Sequence, residues 1–231
     1  MIPRMANNIA TVAQSLDGVG LFTRIGRSDI ESLLTCLGAR ATRLGKGAAL
    51  VRTGDKADRF WVVLSGKLNV AQYDIQGRRT IVKCVESGSL VGAAQSLAGV
   101  PAFMFDVEAE EDAEILALRT SRILAPCENA CRFHAKIVRN LMSVFAAKTL
   151  DLNRKIDILS RRTTADKLLA YLHGVAAERH VAEFDIPFDR QGLADYLCVE
   201  RSALSAEMSR LAKNGVLAFH KNHFALTGRR H

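Results

Sequence analysis

Nowhere in this 231-residue chain does an apolar run approach the roughly 18 residues that a membrane span requires. The opening residues, Met-Ile-Pro-Arg-Met-Ala-Asn-Asn, lack the apolar core that marks a signal peptide. Cysteine is sparse: it stands at 36, 84, 127, 131 and 198, with none earlier. An odd count in a chain without an export signal is expected of reduced thiols in a cytoplasm rather than of a disulfide framework. Histidine is missing before His134, and no lysine or arginine occurs from Gly88 through Leu118. A P-loop, a Gly-x-Ser-x-Gly elbow and a His-Glu-x-x-His pair are also absent, which removes the usual sequence grounds for an enzyme. What is present is a modest positive excess, 32 Lys and Arg against 24 Asp and Glu, suited to acidic partners such as nucleic acid. The excess is diffuse, since residues 160–231 carry 11 basic and 8 acidic side chains. Charge alone locates no binding module.

Residues 1–18 have no strong pattern and are expected to form an arm. A short helix follows: Ser28 and Glu31 have capping-box spacing, Ile30, Leu33, Leu34 and Leu37 form its apolar stripe, and Gly38 closes it. From about 40 to 118 the texture changes to short apolar runs punctuated by glycine. Phe60-Trp-Val-Val-Leu64 reads as a strand with bulk on both faces; Gln76-Gly77 reads as a hairpin turn, with Ile81 to Val85 returning. Gly66, Gly77 and Gly88 recur every eleven residues, the pitch of a small all-β roll or barrel. Helical period resumes near 120. Ile137, Leu141, Val144, Lys148, Leu152, Ile156 and Leu159 follow a 4-3-4-4-4-3 spacing, the mark of one long helix with a narrow stripe. That stripe predicts a two-stranded seam between copies of the chain; the other reading is a helix lying along its own β domain.

Beyond Arg161-Arg162, Thr163 or Thr164 caps a helix with Leu168, Leu169 and Leu172 on one face. Asp189 opens another, whose Leu193 and Leu197 fall four apart. Cys198-Val199-Glu200 interrupts the period, and Leu204, Met208 and Leu211 mark a further helix. Two short helices across a tight turn make the unit that lays its second helix in a DNA major groove. Ser202, Ser205, Ala206, Ser209 and Lys213 lie opposite the apolar stripe, mostly small enough for close backbone approach. Arg201 at the first turn is able to reach a guanine or a phosphate. The competing reading is an ordinary helical hairpin with a solvated polar face. Asn214-Gly215 ends the helix, and Val216 to Phe219 and His223 to Leu226 are expected to pair as a β wing around Lys221-Asn222.

These parts occur in order with Gly54-Asp-Lys-Ala-Asp-Arg-Phe60, Leu64-Ser-Gly-Lys-Leu68, Gly77-Arg-Arg-Thr80, Arg190-Gln-Gly-Leu-Ala-Asp-Tyr-Leu197 and Arg201-Ser-Ala-Leu-Ser205. Together they resemble the CRP/FNR superfamily of bacterial transcription regulators over residues 19–228. The resemblance implies an α+β fold: an arm (1–18), a β-roll sensing domain built as a jelly-roll-like double-stranded β-helix (19–126), a long dimerisation helix (127–160) and a winged helix-turn-helix (161–231). It implies a cytoplasmic homodimer on a near-palindromic double-stranded DNA operator, a small-molecule effector and RNA polymerase as a further partner, with no enzyme activity and no membrane. The seam would use Ile137, Leu141, Val144, Leu152, Ile156 and Leu159. DNA contacts would come from Arg190, Gln191, Arg201, Ser202, Ser205, Ser209 and Lys213, with Arg201 on bases and Gln191 on a phosphate. Many members carry a second arginine one turn later; Ala206 stands there, so half-site preference is expected to differ.

The resemblance also bears on the signal. Iron–sulfur sensors of this superfamily hold their cluster mostly with arm cysteines, which this chain lacks. Haem sensors want a histidine or cysteine in the roll, where Cys84 and Met104, both in apolar stretches, are the only soft donors; a buried structural cysteine is the commoner use. Neither cofactor is expected. Cyclic-nucleotide members grip the phosphate with an arginine and the ribose with a glutamate beyond a Gly-x-x-x-Gly turn. That turn is here as Gly88-Ser-Leu-Val-Gly92, but Ala93 aligns with the glutamate and Phe103-Met104 with the arginine and its neighbour, so cyclic AMP is not expected. Gly88, Leu90, Gly92, Phe103 and Met104 are the expected effector pocket, suited to an apolar or aromatic molecule, unless the aromatic residues are plain roll core. Cys127-x3-Cys131-x2-His134 would align soft donors on one helix face for a metal or a thiol redox switch. Pro126 opposes that alignment if the helix only begins there.

Overall fold

Strand β3 (Arg59–Ser65) shows how the first half of the chain is built. Phe60 through Leu64 are all buried, and alternate residues point to opposite faces, so each face must be covered by a different layer. Trp61 and Val63 join Leu68, Val85, Phe103, Val107 and Ile115 in one core cluster. Phe60, Val62 and Leu64 join Leu16, Leu33, Leu116, Leu118 and Ile137 in another. The first cluster lies between two antiparallel four-stranded sheets. One runs β1 (Arg40–Leu44), β8 (Ala113–Arg119), β3, β6 (Leu90–Val91); the other runs β2 (Ala49–Val51), β7 (Asp106–Ala109), β4 (Lys67–Tyr73), β5 (Arg79–Glu86). At the β3–β4 turn a Cβ on Gly66 would stand 2.4 Å from the Asp112 carbonyl oxygen, and its φ is +80°, so only glycine fits.

The computed structural model describes residues 9–125 and 132–227. They form two units, one up to Phe145 and one from Ala146 onward. In the first unit, helices cover the outer face of the β3 sheet. The supposed arm contributes α1 (Ile9–Ser15), with Val12 and Ala13 buried in the same cluster as the nearby Leu16. Helix α2 (Arg27–Cys36) starts one residue before Ser28: Gly26 is its N-cap, the Ile30 amide donates to the Gly26 carbonyl at 2.9 Å, and the capping box does not form. Two short helices, α3 (Ala93–Leu97) and α4 (Thr120–Leu124), follow β6 and β8.

The long helix α5 (Arg132–Ser160) crosses the division between the units. Its apolar stripe changes surroundings along the helix. Ile137 and Leu141 are buried in the first unit's own core, and Val144 lies against Gly20. Ile137 and Leu141 are therefore covered within their own chain, which corrects their expected place in a seam between copies. Asn140 and Lys136 add donated bonds to the Leu21, Thr23 and Arg24 carbonyls at 2.9–3.0 Å. In the later turns the same stripe is left open: Leu152 and Ile156 are exposed and Leu159 is half-buried, with exposed Met142 beside it.

In the second unit, Thr163 caps α6 (Thr164–Arg179), its hydroxyl accepting from the Asp166 amide at 3.1 Å. Helices α7 (Arg190–Leu197) and α8 (Arg201–Lys213) follow β9 (Glu183–Asp185) and precede the hairpin β10 (Leu217–His220) and β11 (His223–Leu226). The three strands form one sheet in the order β10-β11-β9. Leu168, Leu172, Leu193, Leu197, Leu204, Met208 and Phe224 make the core, joined by Ile158 from the last turns of α5.

Candidate nucleic-acid interface and sensor cassette

Helix α7 begins where Asp189 caps it, accepting the Gly192 amide at 2.7 Å, and ends where Cys198 turns left-handed at φ 51°. That turn sets α8 across α7. Leu204, Met208 and Leu211 face inward and are buried, so the opposite face is left to solvent: Arg201, Ser202, Ala206, Ser209 and Lys213 are exposed and Ser205 is half-buried. Glu200, the N-cap of α8, makes no side-chain capping bond, which leaves the first amides of the helix open toward an anion. Arg201 beside them makes no hydrogen bond or ion pair to any described residue. Ser209 donates to the Ser205 carbonyl at 3.0 Å, and Arg210 pairs with Glu207, which holds that carboxyl below its usual range.

Other expected contacts are engaged within the chain. Gln191 is exposed but donates to the Asp195 carboxylate at 2.8 Å, one helical turn on. Arg190 turns inward, toward Met208, Phe219 and the Lys221 carbonyl. The sequence reading passed over Lys221, exposed at the hairpin tip at φ 54°, and Lys155 of α5. Lys155 reaches the Tyr196 carbonyl and sits 3.2 Å from the centroid of its ring, while Lys167 donates to the Leu197 carbonyl at 3.4 Å. Two cations thus meet the C-terminal end of α7, where the helix dipole favours them. Lys155 interrupts the apolar positions of α5 between Leu152 and Leu159, and its place beside a helix end is visible only in three dimensions.

In the roll, the Gly88–Gly92 turn is built as a cassette between β5 and α3, with Gly88 at φ +83° and Gly92 at φ +75°. Phe103 belongs to the roll core. It is buried, its ring centroid 5.6 Å from that of Trp61 and 5.5 Å from that of Phe105, and a Cβ on Gly92 would stand 2.9 Å from its ring. Aromatic rings therefore stand against Gly92, in keeping with the roll-core alternative for Phe103. Met104 is 66% exposed and Leu90 packs partly against the helical layer. The nearest charge system is internal: buried Asp106 accepts from the Thr53 amide at 2.8 Å, the Thr53 hydroxyl at 2.9 Å and Arg52 at 3.1 Å. Those bonds, the backbone one foremost, hold its carboxyl below the usual carboxylate range.

Cys127 and Cys131 lie outside the described residues. His134 is buried, with one ring nitrogen 2.6 Å from the Ile123 carbonyl and the other without a partner among the described residues. No group of three metal-competent side chains occurs among the described residues.

The first unit is thus a two-sheet antiparallel roll with a glycine-bounded turn, and the second holds two short helices across a tight turn beside a three-stranded sheet. Residues 41–129 match the model of the cyclic nucleotide-binding domain. The chain is 27% identical over 213 residues to the transcriptional activator protein FnrL of Cereibacter sphaeroides, covering 87% of this chain and 82% of that one. FnrA of Stutzerimonas stutzeri, also a transcriptional activator protein, is 24% identical over 88% and 82%. Among solved structures, the catabolite activator protein of Thermus thermophilus has the same fold at a TM-score of 0.50 and 21% identity, over 90% of this chain and 93% of that one. The c-di-GMP-responsive regulator CLP of Xanthomonas campestris gives 0.53 at 18%, over 88% and 100%. Over most of its length the chain is thus similar to transcription regulators of the CRP/FNR kind, and residues 41–129 match a cyclic nucleotide-binding domain. Its relatives are regulators rather than enzymes, and no described helix is long and apolar enough to cross a membrane.

Proposed function

We propose that this chain is a homodimeric, sequence-specific DNA-binding regulator, cytoplasmic, whose winged helix-turn-helix reads a near-palindromic operator and whose roll responds to a small signal other than a cyclic nucleotide. The observation that carries the reading is the face of α8: its apolar side is spent on the core, its outer side is small and polar, and Arg201 stands unengaged at an uncapped helix end. Such a helix approaches base edges closely, with the arginine fork matched to guanine O6 and N7. Phosphate contacts come from the open amides of α8, from Lys213 and from Lys221 at the wing tip. Exposed Met142, Leu152 and Ile156 supply the seam that joins two such readers.

Two independent features speak against a cyclic nucleotide. The segment from Gly88 through Leu118 holds no cation, and Phe103 with Trp61 closes over Gly92. A phosphate placed there would be desolvated without a partner. Selection from random duplex DNA should return a two-half-site sequence, and Arg201→Ala should lose about 1–3 kcal/mol with relaxed preference at one position of each half-site. An unchanged preferred sequence would remove α8 from the reading role. Calorimetry with millimolar cyclic AMP should give no saturable heat; micromolar binding would show that a cation from another segment completes the cassette.

A further inference from the structure

We infer that Arg190 is a positioning residue, which locks the recognition helix α8 to the wing and does not itself contact DNA. The inference rests on the DNA-binding reading above. Arg190 is the first residue of α7, where a basic side chain on the reader unit would ordinarily be assigned to a phosphate. Its guanidinium points the other way. One terminal nitrogen donates to the Met208 sulfur on the buried side of α8, and the other donates to the Lys221 carbonyl at 3.4 Å, at the tip of the β10–β11 turn. The plane lies 5.1 Å from the Phe219 ring centroid on β10. Three elements therefore meet on one side chain.

None of those partners is a carboxylate. A thioether, a carbonyl and a ring hold the orientation of the guanidinium without cancelling its charge. Burial, and then Arg201 nearby, push its pKa down from the ordinary arginine range. The geometry needs the fork: two separated donors and a flat face, which an ammonium on a flexible stem cannot supply together. Arg201 is the opposite case, exposed and without a partner among the described residues. Moving Arg190 outward to a phosphate would uncover the Phe219 face and release the Lys221 carbonyl.

The test compares wild type, Arg190→Met and Arg190→Lys. Affinity for a selected operator and for unrelated DNA is measured over a range of salt, and amide hydrogen exchange at Phe219 and Phe224 is followed without DNA. Both variants should lose about tenfold at the operator, keep the wild-type salt slope and nonspecific affinity, and exchange faster in the wing. A phosphate contact predicts a different pattern: a slope reduced by about one per half-site, uniform weakening on all sequences, and near-complete rescue by lysine. That pattern overturns the inference, as does wild-type exchange in the wing. If Arg190→Met fails to fold, Arg190→Lys gives the same decision. If wild type selects no DNA sequence, the DNA reading fails, and the exchange comparison still decides whether Arg190 holds the wing.

Discussion

Replacing Ile156 by aspartate is the most direct test of how two copies meet. Leu152 and Ile156 are 62% and 64% exposed in the single chain, on the later turns of α5. Full burial of such a side chain contributes about 1.5–3 kcal/mol. With close to two thirds of each still uncovered, a seam gains roughly 1–2 kcal/mol per side chain, or roughly 4–8 kcal/mol for both residues in both copies. That is roughly three to six powers of ten in the dimer dissociation constant. Ile156→Asp forfeits about half of this and places two carboxylates face to face in the seam, where desolvation adds several kcal/mol more. Sedimentation equilibrium should find the variant monomeric at concentrations where wild type is dimeric, with unchanged far-ultraviolet circular dichroism. Leu141→Asp is the internal control. That leucine is 4% exposed within its own chain, so its replacement should unfold the first unit rather than merely part the copies. A folded Ile156→Asp protein with wild-type dissociation would refute the placement of the seam.

Three further outcomes are expected. Asp106→Asn keeps one acceptor but turns a donor toward Arg52, and should cost about 1–3 kcal/mol at neutral pH, measured by urea unfolding. Because the folded pKa of Asp106 is depressed, its contribution is present above the ordinary carboxylate value and lost as pH falls through the folded one; the variant should lose that part of the acid sensitivity. His223 lies 2.9 Å from Glu183 and 3.0 Å from Asp185, and these bonds raise its pKa, so the second unit should melt highest below about pH 6.5 and lose the increment as pH rises through the raised value. His223→Gln should melt without that dependence. Gly92→Ala forces a side chain into φ +75° and against the Phe103 ring at 2.9 Å, and should cost about 2–4 kcal/mol in thermal unfolding.

The elements whose residues repeat at a clean period were legible in the sequence. Phe60 to Leu64, the glycine turns, the Leu193–Leu197 and Leu204–Leu211 helices and the Asn214-Gly215 stop stand where their spacing places them. Element β9 was not, because three residues with one apolar side chain, Phe184, carry no period. Helix α1 was missed for a related reason: Val12, Ala13 and Leu16 cover less than two turns. The long helix misled because one stripe changes surroundings: Ile137 and Leu141 are covered by their own core while Leu152 and Ile156 are exposed, and spacing alone does not separate the two. At the reader, exposure of Arg201 follows from its place opposite the stripe, whereas the inward turn of Arg190 depends on a wing that returns from thirty residues later. Ring packing over Gly92 was likewise hidden, since Trp61 and Phe103 are far apart in the chain.

The aromatic contact over Gly92 has a practical side. Trp61 is the single tryptophan of the chain, 7% exposed, and it lies in the roll against Phe103 and the Gly92 backbone. Intrinsic emission excited at the indole band therefore originates wholly in the first unit, at the cassette where a signal molecule would act. The second unit, with no tryptophan, is silent at that wavelength. A label-free screen of small apolar and aromatic compounds can accordingly read the first unit alone.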